Sequence, residues 1–188
     1  MPESYTLTFA VRASSSSHLA TEGCKYTGQA VRAIPIRIIS VGKKRSPGVD
    51  LIVKDYISKL NPYCKVNDLP LRSNPNNARD ARVQCRDESA AMMNLISPDD
   101  LVVVLDEGGS DINSLQMADL IGGAANDGRS QVCFCVGGPY GHGKEMRSRS
   151  DRTIKLSSMV LNHEVALVVL MEQLYRAWTI LKGQRYHH

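Results

Sequence analysis

Leu101-Val102-Val103-Val104-Leu105-Asp106 and Val132-Cys133-Phe134-Cys135-Val136-Gly137-Gly138-Pro139 are two short apolar runs, each closed by a turn. A strand with one wet face alternates apolar and polar residues. A run without that alternation is apolar on both faces and belongs in a sheet covered on both sides. Parallel strands of that kind need long crossover connections, usually helical. The sequence around the two runs therefore has to supply helices.

It does so in both directions. Between the runs, residues 113–125 predict a helix with Leu115, Leu120 and Ile121 inward, ended by Asn126-Asp127-Gly128. Upstream, residues 78–96 predict a long helix, with Ala81, Cys85, Ala90, Met93 and Leu95 available for packing, closed by Ser97-Pro98. Residues 36–41 (IRIISV) are β-branched and end at Gly42, a strand followed by a turn. Residues 48–60 carry a helical stripe including Val49, Ile52, Val53 and Tyr56, stopped by Asn61-Pro62. A short strand is expected over 65–71. After Leu105, Glu107-Gly108-Gly109-Ser110 is expected to turn the chain. The fold expected is α/β: one domain over 34–188, with a mostly parallel sheet flanked by helices.

The last helix, over 164–181, is apolar nearly all round from Val165 to Met171 and then striped at Leu174, Tyr175, Trp178 and Leu181. An amphipathic helix needs one buried face, and this one needs two. The sheet covers one. A second subunit is the expected cover for the other, so a homodimer is expected.

The chain has 188 residues, 43% hydrophobic and 22% charged, and a net charge of +4. That balance permits an anionic partner without demanding one. The longest strongly apolar run is far too short to span a bilayer, so no membrane role is expected. Five cysteines, irregularly spaced and without a C-x-x-C pair, argue against a disulfide scaffold or a zinc site; no metal is expected. Cys133 and Cys135 lie two apart in a strand-like run and face the same way, as buried small hydrophobes. Residues 1–33 contain Ser14-Ser15-Ser16-Ser17 and the basic Arg12, Lys25 and Arg32, with only Glu3 and Glu22 as acids. This composition reads as a transit peptide for a chloroplast or mitochondrion.

In an open parallel sheet, ligands bind beyond the carboxyl ends of the strands. Two glycine-bearing turns, 105–110 and 137–143, fall there. The second does not match G-x-G-x-x-G, and no G-x-x-x-x-G-K-[ST] occurs, so dinucleotide and P-loop chemistry is demoted. Lys144, Arg147, Arg149 and Arg152 form a basic run suited to an RNA backbone, although a solvated helix surface reads equally well.

The series Val136-Gly137-Gly138-Pro139, Leu156-Ser157-x-Met159, His163, Glu172-x-x-Tyr175-Arg176-Ala177-Trp178-x-Ile180 and the terminal Tyr186-His187 resembles the RlmH (YbeA) family of SPOUT-class rRNA methyltransferases. Val41-Gly42-Lys43 and Val103-Val104-Leu105-Asp106 match in order, so the resemblance runs from Ile36 to the C-terminus. It implies a SPOUT fold with a C-terminal trefoil knot, against the usual rule that chains do not thread. It implies a homodimer that uses S-adenosyl-L-methionine to methylate N3 of a pseudouridine in large-subunit ribosomal RNA. By the same resemblance, the cofactor site is Leu105, Gly137 and the run Leu156, Ser157, Ser158, Met159, Val160 and Leu161. His163, Arg176, Tyr186 and His187 are the candidates for ionising the target nitrogen, with the tail reaching across the dimer. Trp178 reads better as packing. Two departures stand out: Asn162 replaces a proline before the histidine, and Leu167 replaces an arginine four residues after it. The second opens an alternative, a knotted S-adenosyl-L-methionine- and RNA-binding ribosome-assembly factor with weak or lost activity.

Overall fold

The computed structural model describes residues 31–184. Its elements are β1 Ile36–Gly42, α1 Pro47–Leu60, β2 Val66–Arg72, α2 Ala81–Met93 and β3 Leu101–Asp111. They are followed by α3 Ser114–Asn126, β4 Val132–Val136, α4 Lys144–Arg149, β5 Arg152–Lys155 and α5 His163–Leu181. Five parallel strands form one sheet in the order β2-β1-β4-β3-β5.

Strand order and the handedness of crossovers together decide where the helices go. The steps β1 to β2 and β3 to β4 move one way along the sheet, whereas β2 to β3 and β4 to β5 move the other. Right-handed crossovers require opposite steps to carry their helices on opposite faces. Accordingly α1 and α3 share one face with α5, and α2 and α4 share the other. The first face carries the larger core, where Ile36, Ile38 and Phe134 of the sheet meet Leu170, Leu174 and Trp178 of α5. On the second face Cys133 and Cys135 pack with Val102, Val104, Met92 and Met146. Burial pushes the thiol of Cys64, beside Trp178, up to about 12.

To reach the space between α1 and α3, α5 must cross the carboxyl edge of the sheet from the β5 side. Residues 156–162 make that crossing. Asn162 caps the helix, its Oδ1 accepting from the Glu164 N–H at 2.8 Å. The departure from proline therefore supplies a bond that proline could not.

Several local expectations are corrected. Residues 107–110 do not end the strand. The ladder to β5 slips between Leu105 and Ser110, both registered on Ile154, and then resumes at Asp111–Lys155. Gly109 makes this possible, because a Cβ there would stand 2.6 Å from the Ile154 backbone. The sequence pattern does not announce β5, because Arg152 reads as part of a basic run. The α2 helix is shorter than 78–96, and its buried face is Gln84, Glu88, Ser89 and Met92, while Ala81 and Ala90 are exposed. Leu115 and Ile52, expected inward, are 52% and 42% exposed. The segment expected to be a transit peptide lies outside the described residues except for its last three. Val31, within those three, packs on the core.

Candidate active site

All strands are parallel, so their carboxyl ends share one edge, and a cavity of about 640 Å³ opens there. That volume falls in the range of small-molecule sites, roughly 300–1,000 Å³. Leu105 after the straight part of β3, Gly137 after β4 and the 156–161 crossing converge on it. Of the cofactor residues expected, Leu105, Gly137, Leu156, Ser157, Met159, Val160 and Leu161 line the cavity. Ser158 is not in the lining and is exposed.

The glycine loop is held tightly. Its Gly138–Gly141 turn closes with a Gly141 N–H to Gly138 carbonyl bond of 3.0 Å, and Gly141 has φ +71°, a left-handed conformation that favours glycine. A Cβ on Gly137 would meet the Gly141 carbonyl and the His142 ring, both at 3.0 Å. A Cβ on Gly138 would stand 2.7 Å from Glu88 Oε2. Glu88 is buried, and its other oxygen accepts from Ser73 Oγ, the Asn74 N–H and Gln84 Nε2, each at 2.8 Å. Ser89 Oγ accepts from the Gly143 N–H at 2.7 Å. The polar face of α2 is thus the backing plate of the loop.

Two residues that the sequence pattern does not single out tie the loop to β3. His142 Nε2 donates to the Leu105 carbonyl at 3.1 Å, while its Nδ1 is buried without a partner. Burial holds this imidazole below the ordinary histidine range, because a second proton would be stranded. Asp106 pairs with Arg147 at 2.8 Å, and both line the cavity. A histidine inside a glycine loop, and an aspartate ending an apolar strand, are the signals that could have found them.

His163, the first residue of α5, also lines the cavity. Its ring lies over Gly42 at the end of β1, where a Cβ would come within 2.9 Å of Nε2. The helix start is fastened to the β1–α1 loop, since Glu164 accepts from the Ser46 N–H at 2.8 Å and from Ser46 Oγ at 3.0 Å. Those bonds hold the Glu164 carboxyl below its ordinary range.

A family model described as "Predicted SPOUT methyltransferase" matches residues 34–187. The chain belongs to the SPOUT methyltransferases. A protein of Arabidopsis thaliana carrying the provisional name RNA methyltransferase is 65% identical over 165 residues, 88% of this chain and 86% of that protein. The ribosomal RNA large subunit methyltransferase H of Trichlorobacter lovleyi is 35% identical, covering 81% of this chain and 99% of its own length. Its namesake in Solidesulfovibrio magneticus is 36% identical, covering 82% and 99%.

Arg176, another residue expected at the site of this SPOUT methyltransferase, does not line the cavity. Arg176 is bonded to Glu172 through Nε at 3.0 Å and Nη2 at 2.7 Å. It lies thirteen residues along α5 from His163, about 20 Å at 1.5 Å per residue. Tyr186 and His187 lie outside the described residues. The basic run is divided, because α4 travels from the carboxyl to the amino edge of the sheet. Lys144 starts that helix and Arg147 reaches the cavity. Arg149 instead donates to the Ser97, Pro98 and Asp100 carbonyls at the start of β3, and Arg152 opens β5 at that same far edge. The four residues of the basic run therefore do not share one edge of the sheet. Leu167 is buried in the core and does not enter the cavity.

Proposed function

We propose that this SPOUT methyltransferase transfers the methyl group of S-adenosyl-L-methionine to N3 of a pseudouridine in large-subunit ribosomal RNA. The observation that carries the reading is the convergence of Leu105, Gly137 and the 156–161 crossing on one cavity that also has His163 in its wall. The names of the bacterial relatives support the substrate.

The residues fit the cofactor. Gly137 allows a ligand to approach the peptide backbone, and backbone groups of the crossing segment can read an adenine edge while Leu156 and Leu161 enclose the ring. Bound there, S-adenosyl-L-methionine supplies an electrophilic sulfonium methyl. The protein's part is to hold the target nitrogen in line with it, because positioning removes much of the barrier. An imide nitrogen is a weak nucleophile while protonated, and the His163 imidazole in the wall is assigned to take that proton.

Arg176 is too far along α5 to serve the cavity of its own chain. If it acts on the substrate, it does so in a homodimer whose partner presents it. The α5 face bearing Val165, which is 48% exposed, and the part-buried Val168 and Val169 supports such an interface. The path of α5 across the carboxyl edge suits the trefoil threading that the resemblance implies. The composition of residues 1–33 supports action in a chloroplast or mitochondrion.

Leu167, in place of the arginine that the resemblance implies, favours a second reading, an S-adenosyl-L-methionine- and RNA-binding ribosome-assembly factor with weak or lost turnover. Nucleoside mass spectrometry of organellar large-subunit rRNA from plants lacking the protein separates the two. Loss of a methylpseudouridine supports the enzyme, and an unchanged signal supports the assembly factor.

A further inference from the structure

Two cations line the cavity itself, Arg147 paired with Asp106 and Lys155 paired with Asp111, and further cations lie beside it. These further cations stand at the other end of the carboxyl edge. Lys43 and Lys44 follow β1, Arg72 ends β2 opposite Gly42, and Arg79 precedes α2. All four are exposed, and none has a carboxylate in ion-pair distance among the described residues. Arg45, in the same stretch, is different: it is held by Asp68 and Ser40 and anchors the loop from below.

The carboxylates nearby are occupied. Asp68 holds Arg45, Asp80 caps α2, Glu88 is buried under the glycine loop, and Glu164 binds Ser46. The exposed acids of this edge, Glu107 within β3 and Glu145 in α4, lie further along it. The positive stretch adjoins the cavity directly, because Gly42, which precedes Lys43, is covered by the His163 ring.

The two loops are also fixed relative to each other. The Ser73 N–H donates to the Gly42 carbonyl at 2.9 Å, and Asn74 bonds both ways with Ala78 at 2.7 and 3.0 Å. Asn74 and Asn77 hold left-handed φ values of 50° and 53°, a conformation whose cost those bonds offset. Phosphate binding on a preset surface costs less ordering than binding by free loops.

We propose that Lys43, Lys44, Arg72 and Arg79 form the surface on which the substrate RNA backbone lies, leading its target base to His163. Arg149 and Arg152 take no part. This rests on the reading of the protein as an RNA methyltransferase and assigns where that RNA runs.

The test uses the full chain, a fluorescein-labelled RNA hairpin from the large-subunit rRNA, and fluorescence anisotropy across a salt series. One variant carries Lys43→Ala, Lys44→Ala, Arg72→Ala and Arg79→Ala. A control carries Lys65→Ala and Arg152→Ala, exposed cations of the amino edge. Each cation withdrawn from a phosphate lowers the slope of log K against log salt by ~0.7–0.9, so the fourfold variant should bring the slope down by about 3 and weaken binding at least ~30-fold. The control should bind like the wild type, and both should bind S-adenosyl-L-methionine unchanged. A fourfold variant that binds RNA normally overturns the proposal and leaves the methyltransferase reading standing. Wild-type protein that binds S-adenosyl-L-methionine but no RNA overturns both.

Discussion

The closest approach at the proposed reacting centre is also the simplest to perturb. Gly42 has no side chain, and the His163 imidazole occupies the space where one would be: a Cβ would stand 2.9 Å from Nε2 and 3.0 Å from Cδ2. Ordinary contact begins at 3.4 Å, so Gly42→Ala must push the ring back by 0.5 Å. The ring is the far end of a side chain and can turn, so the strand and helix need not move and stability should change little. Catalysis is less forgiving. A misplacement of about 1 Å can cost ~100-fold, so half that distance should cost roughly tenfold, about 1.4 kcal/mol of barrier. The assay is single-turnover methyl transfer to rRNA, run beside calorimetry with S-adenosyl-L-methionine and thermal melting. The expected result is a tenfold slower chemical step with cofactor affinity and melting temperature retained, and a larger loss for His163→Ala. Full-speed turnover in both variants would remove His163 from the chemistry.

Three other substitutions probe the packing around the cavity. Gly109→Ala drives a Cβ to 2.6 Å from the Ile154 backbone, which cannot rotate away; urea unfolding should show a loss of about 1–3 kcal/mol, and a neutral variant would mean that the β3 bulge is not packed on β5. Glu88→Ala strands the Ser73, Asn74 and Gln84 donors and removes the support under Gly138, so a loss of about 3 kcal/mol and weaker cofactor binding are expected; unchanged unfolding would mean that those donors find water instead. His142 has a lowered pKa in the folded protein, so below about pH 6.5 the unfolded chain takes up the proton first and stability falls with acidification. His142→Gln should flatten that part of the melting-temperature profile, and parallel profiles for the two proteins would contradict the assignment.

The sheet was legible where burial leaves a mark on composition. The unalternated runs of β3 and β4, and the β-branched β1, require two covered faces, and the structure covers both. Reading failed where a residue's environment is set by a distant segment. Arg152–Lys155 is too short and too charged to look like a strand, and it becomes one because β3 offers it a ladder. Gly108 and Gly109 look like a turn, but at Gly109 the absent side chain serves a close crossing of two backbones. The α2 helix defeats the hydrophobic pattern because most of its inner face is polar, bonded to Ser73 and Asn74 in the loop before it and to Gly143 in the glycine loop. Leu115 fits a helical stripe and is nonetheless exposed, whereas Ile121 of the same stripe faces the core beside Met117 and Ala118.

The site divides in the same way. Glycine turns at the carboxyl ends of strands could be anticipated from the sheet alone. Nothing in the spacing of residues 156–161 says that they return to those turns, and only the likeness to a known family suggested it. Conversely, the run from Lys144 to Arg152 looks continuous in sequence and is not continuous in space, because a helix of six residues carries its end to the opposite edge of the sheet. Charge clusters read along a chain need the direction of the element beneath them before they mean a surface.

Isothermal titration calorimetry with S-adenosyl-L-methionine, on the wild type and on Gly137→Ala, bears most directly on the cavity. The account predicts saturable binding at one site per chain, weakened at least about tenfold when a methyl group is placed against the Gly141 carbonyl and the His142 ring. Absence of binding at millimolar ligand, or equal binding by the two proteins, would contradict it.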